Sequence, residues 1–180
     1  MNCSGRLSVL AVVFLFSFSM PHLLGQTPSA SQGDVLRTAE GTVRELYRLV
    51  TFDQGATPDW DRVRSLFLAE AVVVLRTSRE NSTVFSVDGF VADFVRFIEQ
   101  SNVEQTGFQE SVIRTSSMVF RDLAHVLVLY EASIPGSERP PQQGVDSFQL
   151  TQKDGRWWIV SITNDLPDRD HPIPQVLRGL

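Results

Sequence analysis

Four side chains in this chain could perform acid–base chemistry. They are Tyr47, Glu110, His125 and Asp146. A histidine within an apolar strand can exchange a proton near neutral pH, and a buried tyrosine or carboxyl group can donate or accept one. Side chains of these types also occur as ordinary core or interface groups. The sequence therefore supplies catalytic candidates, but no spacing that unites them into a known motif.

Strand alternation restricts which of these candidates can meet. In the apolar segment 123–132, alternation places His125 on one face and Tyr130 on the other. Only one of these two side chains can face a cavity unless a bulge intervenes. Glu110 falls on the same face as Arg114, which leaves two alternatives, an ion pair between them or a pocket acid.

Composition and motifs exclude several classes of protein. The chain contains no glycine-rich phosphate loop, P-loop or paired-histidine metal motif, so we expect no cofactor and no metal. Its only cysteine is Cys3, so a mature chain has no cysteine nucleophile and no zinc site built on thiolates. A formal net charge of -5 disfavours nucleic acid as a partner, because binding phosphates requires a basic surface.

The first 26 residues have the layout of a secretory signal peptide. Arg6 precedes the uncharged apolar run Leu7–Met20, and Pro21 ends it. The run is shorter than the roughly 20 apolar residues that span a membrane, although an uncleaved anchor is the alternative. We expect a signal peptide at 1–26, a linker at 27–33, the folded domain at 34–166 and a proline-rich tail at 167–180. The mature protein would then be secreted or periplasmic, with no membrane attachment.

Helices are predicted in the first half of the mature chain and long strands in the second. Apolar residues recur at helical spacing in three segments, which carry Tyr47, Trp60 and Phe94. Residues that favour helix starts precede these segments: Ser31 or Asp34, then Thr57, then Ser86 or Asp88. A small hairpin separates the second helix from the third, and three or four long antiparallel strands begin at Phe108. This order predicts an α+β domain with helices on one face of a sheet.

The most specific local signal is the dipeptide Asp154–Gly155 between two apolar strands. A two-residue type I′ turn needs positive φ at both central positions, which this dipeptide adopts readily. A regular hairpin then pairs Trp157 with Gln152, Ile159 with Leu150, Ser161 with Phe148 and Thr163 with Asp146. Alternation also places Trp158, Val160 and Ile162 together on the other face. A three-residue loop is the alternative and would change every pair.

This hairpin, GVDSFQLTQKDGRWWIVSI at 144–162, resembles the nuclear transport factor 2-like superfamily, which includes the SnoaL-like proteins. The segment TPDWDRVRSLFLAEAVVV at 57–74 is similar to the short tryptophan-containing helix that leads into the first strand of that family. A local likeness to uncharacterised bacterial members lies in two strands, at Phe108 and Glu110 and at Ala124, His125, Val126, Tyr130 and Glu131. The resemblance covers about 34–165.

The resemblance implies a cone-shaped α+β roll, in which a curved antiparallel sheet wraps around three N-terminal helices and leaves an apolar cavity at its open end. The ligand pocket would be lined by Tyr47, Trp60, Phe94, Tyr130, Phe148 and Trp157. Members of the family often pair through the outer sheet face, which implies a homodimer through Trp158, Val160 and Ile162. The steroid isomerase-type, dehydratase-type and epoxide hydrolase-type members use acid, histidine–tyrosine or Asp-Arg-Asp sets that cannot be matched completely here.

Three hypotheses for function remain, because the fold alone does not decide between them. The favoured one is binding of a small apolar ligand, or a non-catalytic role. The second is a lyase, isomerase or hydrolase that needs no cofactor and acts on an apolar cyclic substrate through Tyr47, Glu110, His125 or Asp146. The third is a dimeric association module with a filled cavity. An enzyme requires at least two titratable groups within hydrogen-bond reach at a solvent-connected cavity.

Overall fold

The computed structural model describes residues 32–78 and 80–179. The expected signal peptide lies outside the described residues, so export stays a prediction. The helices are α1 (Gln32–Val35), α2 (Ala39–Val50), α3 (Trp60–Arg64) and α4 (Val87–Ser101), with 3-10 turns at Val103–Gln105 and Gln175–Leu177. The strands are β1 (Phe52–Asp53), β2 (Phe67–Arg76), β3 (Ser82–Ser86), β4 (Gly107–Phe120), β5 (Leu123–Ser133), β6 (Gln142–Lys153) and β7 (Arg156–Asp165).

The seven strands of the described residues form one curved sheet that does not close on itself, in the order β1-β4-β5-β6-β7-β2-β3. All neighbours are antiparallel except β2 and β7, which are parallel. The expectation of a purely antiparallel sheet was therefore wrong at this one pair. Parallel neighbours need a long connection, and the intervening α4 and β4–β6 supply it.

The helices begin at residues with side-chain caps. Thr38 Oγ1 accepts a hydrogen bond from Gly41 N at 3.0 Å and starts α2, so the predicted first helix is interrupted before Ala39. Asp59, rather than the predicted Thr57, caps α3. Ser86 caps α4, which is one of the two starts predicted there. The main core lies between α2, α4 and the concave face of the sheet.

The β6–β7 turn has the predicted conformation, with φ of 54° at Asp154 and 75° at Gly155. Near the turn the predicted pairs are also correct, since Trp157 lies opposite Gln152 and Ile159 opposite Leu150. Beyond them the register shifts by one residue at Val160, which leaves this residue without a partner.

The bulge at Val160 corrects the predicted pairing beyond it. Ser161 lies opposite Gln149 and Thr163 opposite Ser147, whereas Phe148 faces Ile162 and Asp146 faces Asn164. A bulge reverses the alternation of every residue that follows it. Ile162 is consequently buried in the core, with 3% of its surface exposed, and does not belong to the outer face on which Trp158 and Val160 lie.

The C-terminal segment is docked rather than simply extended. Its 3-10 turn contacts β4 and β5, and Leu177 is 1% exposed. Leu129 points to the outer face of β5 by alternation and is also buried. The tail therefore covers the outer sheet face at this end. No helix within residues 32–78 and 80–179 is both long and apolar enough to cross a membrane.

Candidate active site at the open end of the sheet

Tyr47 and Asp146 meet although 99 positions separate them in the chain. Tyr47 belongs to the buried face of α2, and Asp146 lies on the concave face of β6. The Tyr47 hydroxyl donates a hydrogen bond to Asp146 Oδ2 at 2.5 Å. Because a carboxylate is a strong acceptor, this short contact fixes both side chains.

Asn164 holds the other oxygen of the same carboxyl group. Its Nδ2 donates to Asp146 Oδ1 at 2.7 Å and to the Tyr130 hydroxyl at 3.0 Å. Both amide hydrogens are thus used, and both Asp146 oxygens accept. Asn164 reaches this position because the Val160 bulge turns it inward.

Tyr130 completes the cluster on the neighbouring strand. Its hydroxyl accepts from Asn164, and its own proton has no acceptor among the described residues. The ring lies over Gly144, its partner in the β5–β6 ladder. A Cβ atom at Gly144 would lie 2.3 Å from Tyr130 Cζ and Oη, so glycine is required for this approach.

Glu110 lies in the same cavity and is held through its backbone. Thr51, at the end of α2, donates from Oγ1 to the Glu110 carbonyl and accepts from the Glu110 amide, each at 2.9 Å. The Glu110 carboxyl group has no hydrogen-bond partner or cation within the part of the chain that the structure describes. It is surrounded by protein while retaining partial exposure at the cavity.

The predicted partner of Glu110 lies elsewhere. The β4–β5 register shifts at Ile113, so Arg114 pairs with Leu129 and points to the outer face. The proposed ion pair between Glu110 and Arg114 was therefore wrong, because this second bulge separates their faces. Glu110 instead shares the concave face with Val112 and Asp146.

Burial perturbs the acidity of both carboxyl groups. It raises the pKa of Glu110 to about 8, and the charge of Asp146 adds to the effect. Burial likewise raises the pKa of Asp146 to about 6, against the opposing hydrogen bonds from Tyr47 and Asn164. Burial and the neighbouring carboxyl groups raise the pKa values of Tyr47 and Tyr130. Near pH 7 the carboxyl pair therefore holds about one proton, and both phenols are neutral.

These groups line an open cavity of about 170 Å³. Its polar side is formed by Tyr47, Glu110, Tyr130, Asp146 and Asn164. Its apolar side is formed by Leu46, Val50, Val73, Leu75, Phe90, Phe94 and Ile162, and Arg76 borders it. The cavity, from now on the inner cavity, can hold a small molecule between apolar walls and one proton-exchanging side.

The predicted catalytic candidates separate into two groups. Tyr47, Glu110 and Asp146 converge on the inner cavity. His125 lies on the opposite sheet face, where its Nε2 is 3.0 Å from Ser147 Oγ, so it cannot act in this site. Alternation alone required that only one of His125 and Tyr130 face the cavity, and it is Tyr130.

The six predicted pocket residues also divide. Tyr47, Phe94 and Tyr130 line the inner cavity. Trp60, Phe148 and Trp157 do not, because they pack in the core around it. The rings of Phe148 and Tyr47 lie 6.2 Å apart, those of Trp60 and Phe94 lie 5.4 Å apart, and Trp157 is buried. Whether the lining residues bind a ligand stays a prediction.

Sequence reasoning missed Asn164, Thr51 and Gly144. The sequence analysis assumed a regular β7 strand, which would turn the Asn164 side chain to the outer face. Thr51 and Gly144 act through backbone contacts, which side-chain chemistry does not signal. The one available signal was Gly144 itself, because a glycine within a strand often marks a place where another group approaches the backbone closely. Within the described ranges, no three metal-binding side chains converge.

Comparison with known proteins gives a fold but not an activity. No family model matches this chain, and no curated protein matches it in sequence. A nuclear transport factor 2-like protein with a cystatin-like fold from Novosphingobium aromaticivorans is similar in structure, with a TM-score of 0.56 and 13% identity over 72% of this chain and 82% of that chain.

Two further solved structures support the same conclusion. A putative scytalone dehydratase from Novosphingobium aromaticivorans has a TM-score of 0.54 and 12% identity, over 73% of this chain and 83% of that chain. A protein of unknown function with a cystatin-like fold from Nostoc punctiforme has a TM-score of 0.54 and 11% identity, over 76% of this chain and 98% of that chain. The chain therefore has the nuclear transport factor 2-like, cystatin-like cone fold that its hairpin predicted.

Proposed function

We propose that this protein is an acid–base enzyme of the isomerase or lyase kind, which moves a proton at a carbon atom next to a carbonyl group of a small substrate. The observation that carries the proposal is the 2.5 Å hydrogen bond between Tyr47 and Asp146 beside Glu110 at an open cavity. An enzyme requires at least two titratable groups within hydrogen-bond reach at a solvent-connected cavity, and Tyr47 and Asp146 meet this requirement.

Asp146 is the base in this proposal. With a pKa of about 6 it is mainly ionised at pH 7, yet more basic than an exposed carboxylate. Hydrogen bonds from Tyr47 and Asn164 fix its orientation. A positioned base with a pKa close to the working pH suits the removal of a weakly acidic carbon-bound proton.

Glu110 is the acid. With a pKa of about 8 it is mainly protonated at pH 7, and no group in residues 32–78 or 80–179 accepts its proton. It can donate a hydrogen bond to a substrate carbonyl oxygen, as can the Tyr130 hydroxyl. When Asp146 takes the proton, the carbon–hydrogen electron pair moves toward the carbonyl, and the resulting enolate oxygen is stabilised by these donors. Return of the proton to a different carbon completes an isomerisation, whereas its return to the same carbon only exchanges the hydrogen with solvent. Loss of a neighbouring hydroxyl group, which leaves as water with the Glu110 proton, completes a dehydration.

Ligand binding without chemistry is the second candidate, because the walls of the inner cavity are largely apolar. The buried carboxyl groups of Glu110 and Asp146 favour an enzyme. Burying ionisable groups lowers the stability of the fold, and a site that only binds an apolar ligand would not need them. The space inside the cavity argues against a filled association module. One structural neighbour is named as a dehydratase, which agrees with a lyase but, at 12% identity, transfers no residue role.

The proposal can be tested by exchange of carbon-bound hydrogen in D2O. Cyclohexanone, cyclohexenone and related single-ring ketones are incubated with the protein at pH 7, and deuterium uptake beside the carbonyl is followed by NMR. We expect catalysed exchange that falls about 100-fold or more in Asp146→Asn. His125→Ala, on the opposite sheet face, is the matched control and should retain the activity. Uptake no faster than in buffer for every ketone would overturn the proposal.

We also propose that two copies pair through the outer sheet face, as the family resemblance implies. Trp158 and Val160 remain on this face, together with the exposed Met118, Phe120 and Leu123. Exposed apolar side chains in a group favour a partner. Sedimentation should give a dimer for the unaltered chain and a monomer for Met118→Glu; a monomer for both would contradict pairing.

A further inference from the structure

We propose that a cleft beside the inner cavity is a second subsite, which holds an uncharged apolar tail of the substrate. The proposal rests on the proposed function in one respect, since it takes the reacting part of the substrate to be a ketone bound in the inner cavity. This outer cleft has a volume of about 490 Å³. Its lining includes Phe94, Phe97 and Phe108 as well as Asp93 and Arg96.

The size of the inner cavity limits what can react there. A cavity of roughly 150 Å³ holds one benzene molecule, so about 170 Å³ accommodates a single ring or a short chain. A larger substrate must therefore extend beyond the inner cavity. Since Tyr47, Glu110 and Asp146 occupy the polar side, the extension has to leave on the apolar side.

The outer cleft begins on that apolar side. Four residues, Leu75, Arg76, Phe90 and Phe94, line both the inner cavity and the outer cleft. The two spaces are thus adjacent and share one wall, and the proposal requires the substituent to pass beside Phe94 to reach the cleft. Arg76 is engaged by Asp165 on the far side of this wall, through bonds of 3.0 and 2.6 Å from Nε and one terminal nitrogen.

The chemistry of the cleft identifies the tail. Phe94 packs edge-on against Phe97 and Phe108, with ring centroids 5.8 and 5.6 Å apart. The inner wall of the outer cleft is therefore aromatic. At the rim, Arg96 and Asp93 form an ion pair at 3.4 Å. A cleft with an aromatic floor and a self-neutralised charged rim suits an alkyl chain or a second ring without charge.

The series of cyclohexanone, 4-methylcyclohexanone, 4-propylcyclohexanone and 4-pentylcyclohexanone tests this subsite. Binding is measured by calorimetry and exchange by NMR with the full-length protein. Each methylene that enters an apolar site should tighten binding about fourfold. Entry of only three of the five pentyl carbons should therefore make 4-pentylcyclohexanone bind about 50-fold more tightly than cyclohexanone. Binding and kcat/KM that do not change along the series would overturn the outer subsite.

Two variants distinguish binding of the tail from binding of the reacting ring. Phe97→Ala should remove most of the gain with chain length while cyclohexanone binds as before. Val176→Ala, at an exposed position of the C-terminal turn outside the cleft, is its control. If Phe97→Ala does not fold, the series in the unaltered protein still decides. A chain-length gain without any exchange would support the subsite and contradict the proposed chemistry. Exchange without such a gain would do the reverse, and absence of both binding and exchange would overturn both.

Discussion

Asn164 lies directly opposite Asp146 in the β6–β7 ladder, and its side-chain amide bonds both Asp146 and Tyr130. The pairing exists only because Val160 adds one residue to β7. One outward-facing valine thus determines which side chain supports the base. Bulges beside functional sites commonly redirect a side chain in this way.

Deletion of Val160 should destroy this arrangement. A regular strand would turn Ile162 and Asn164 outward, and exposure of Ile162 alone costs about 1.5–3 kcal/mol. We expect the free energy of unfolding to fall by at least that amount, with loss of ketone exchange. Val160→Ala keeps the bulge and should change stability by less than about 1.5 kcal/mol. Urea unfolding measures both variants, and equal stability of the deletion and the parent would contradict the assigned role of the bulge.

Gly144→Ala should displace the Tyr130 ring. The new methyl group would lie 2.3 Å from the phenol end of the ring, so the side chain has to move. Displacement of a positioned group by about 1 Å can cost roughly 100-fold in rate. We expect a 10- to 100-fold loss of exchange. In a Tyr130→Ala background the same substitution should have almost no effect on stability or exchange, and an undiminished effect there would refute the clash as its cause.

The rate of ketone hydrogen exchange should follow a bell-shaped pH profile. The rate should rise as Asp146 ionises with its pKa of about 6, and fall as Glu110 loses its proton with its pKa of about 8. Glu110→Gln keeps a donor but cannot ionise, so its alkaline limb should disappear. Tyr47→Phe removes a hydrogen bond that lowers the pKa of Asp146, so its acid limb should move to higher pH. Profiles recorded from pH 5 to pH 9 that lack these shifts would argue for other titrating groups.

Stability should fall as the pH rises through the same range. The folded protein raises the pKa of Glu110 from 4.5 to about 8 and therefore binds its proton more tightly than the unfolded chain. The stabilising contribution is complete below pH 4.5 and is lost as pH rises through about 8. Each pKa unit corresponds to about 1.4 kcal/mol, so the loss amounts to a few kcal/mol.

Glu110→Gln tests this linkage. Because glutamine does not titrate, the variant should gain stability relative to the parent by a few kcal/mol between pH 5 and pH 9. Glu99→Gln, at an exposed site on α4, is the matched control and should show no such change. Parallel stability curves for parent and Glu110→Gln would mean that the carboxyl group is not destabilised by burial.

Local patterns predicted the parts of the fold that depend on neighbours in sequence. The type I′ turn at Asp154–Gly155 follows from φ preferences, and the opposite faces of His125 and Tyr130 follow from alternation. Both hold over a few residues and need no knowledge of distant partners. The cone fold followed from the resemblance of the same hairpin.

The site was only partly predictable, because two bulges interrupt the alternation on which the prediction relied. The bulge at Ile113 moved Arg114 away from Glu110, and the bulge at Val160 brought Asn164 to Asp146. Neither position carries a glycine or proline that would announce it. The Tyr47–Asp146 contact spans 99 positions, and a single sequence contains no signal of that range.

The docked C-terminal turn divides the back of the sheet into two zones. Around Leu177 the C-terminal turn covers β4 and β5. The Met118–Leu123 end of these strands is uncovered, with Phe120 65% exposed. Any second molecule that lies along this back must therefore approach from the bare end. The proposed pairing surface and the inner cavity consequently lie toward opposite ends of the β4–β5 pair, so that pairing would leave the cavity open.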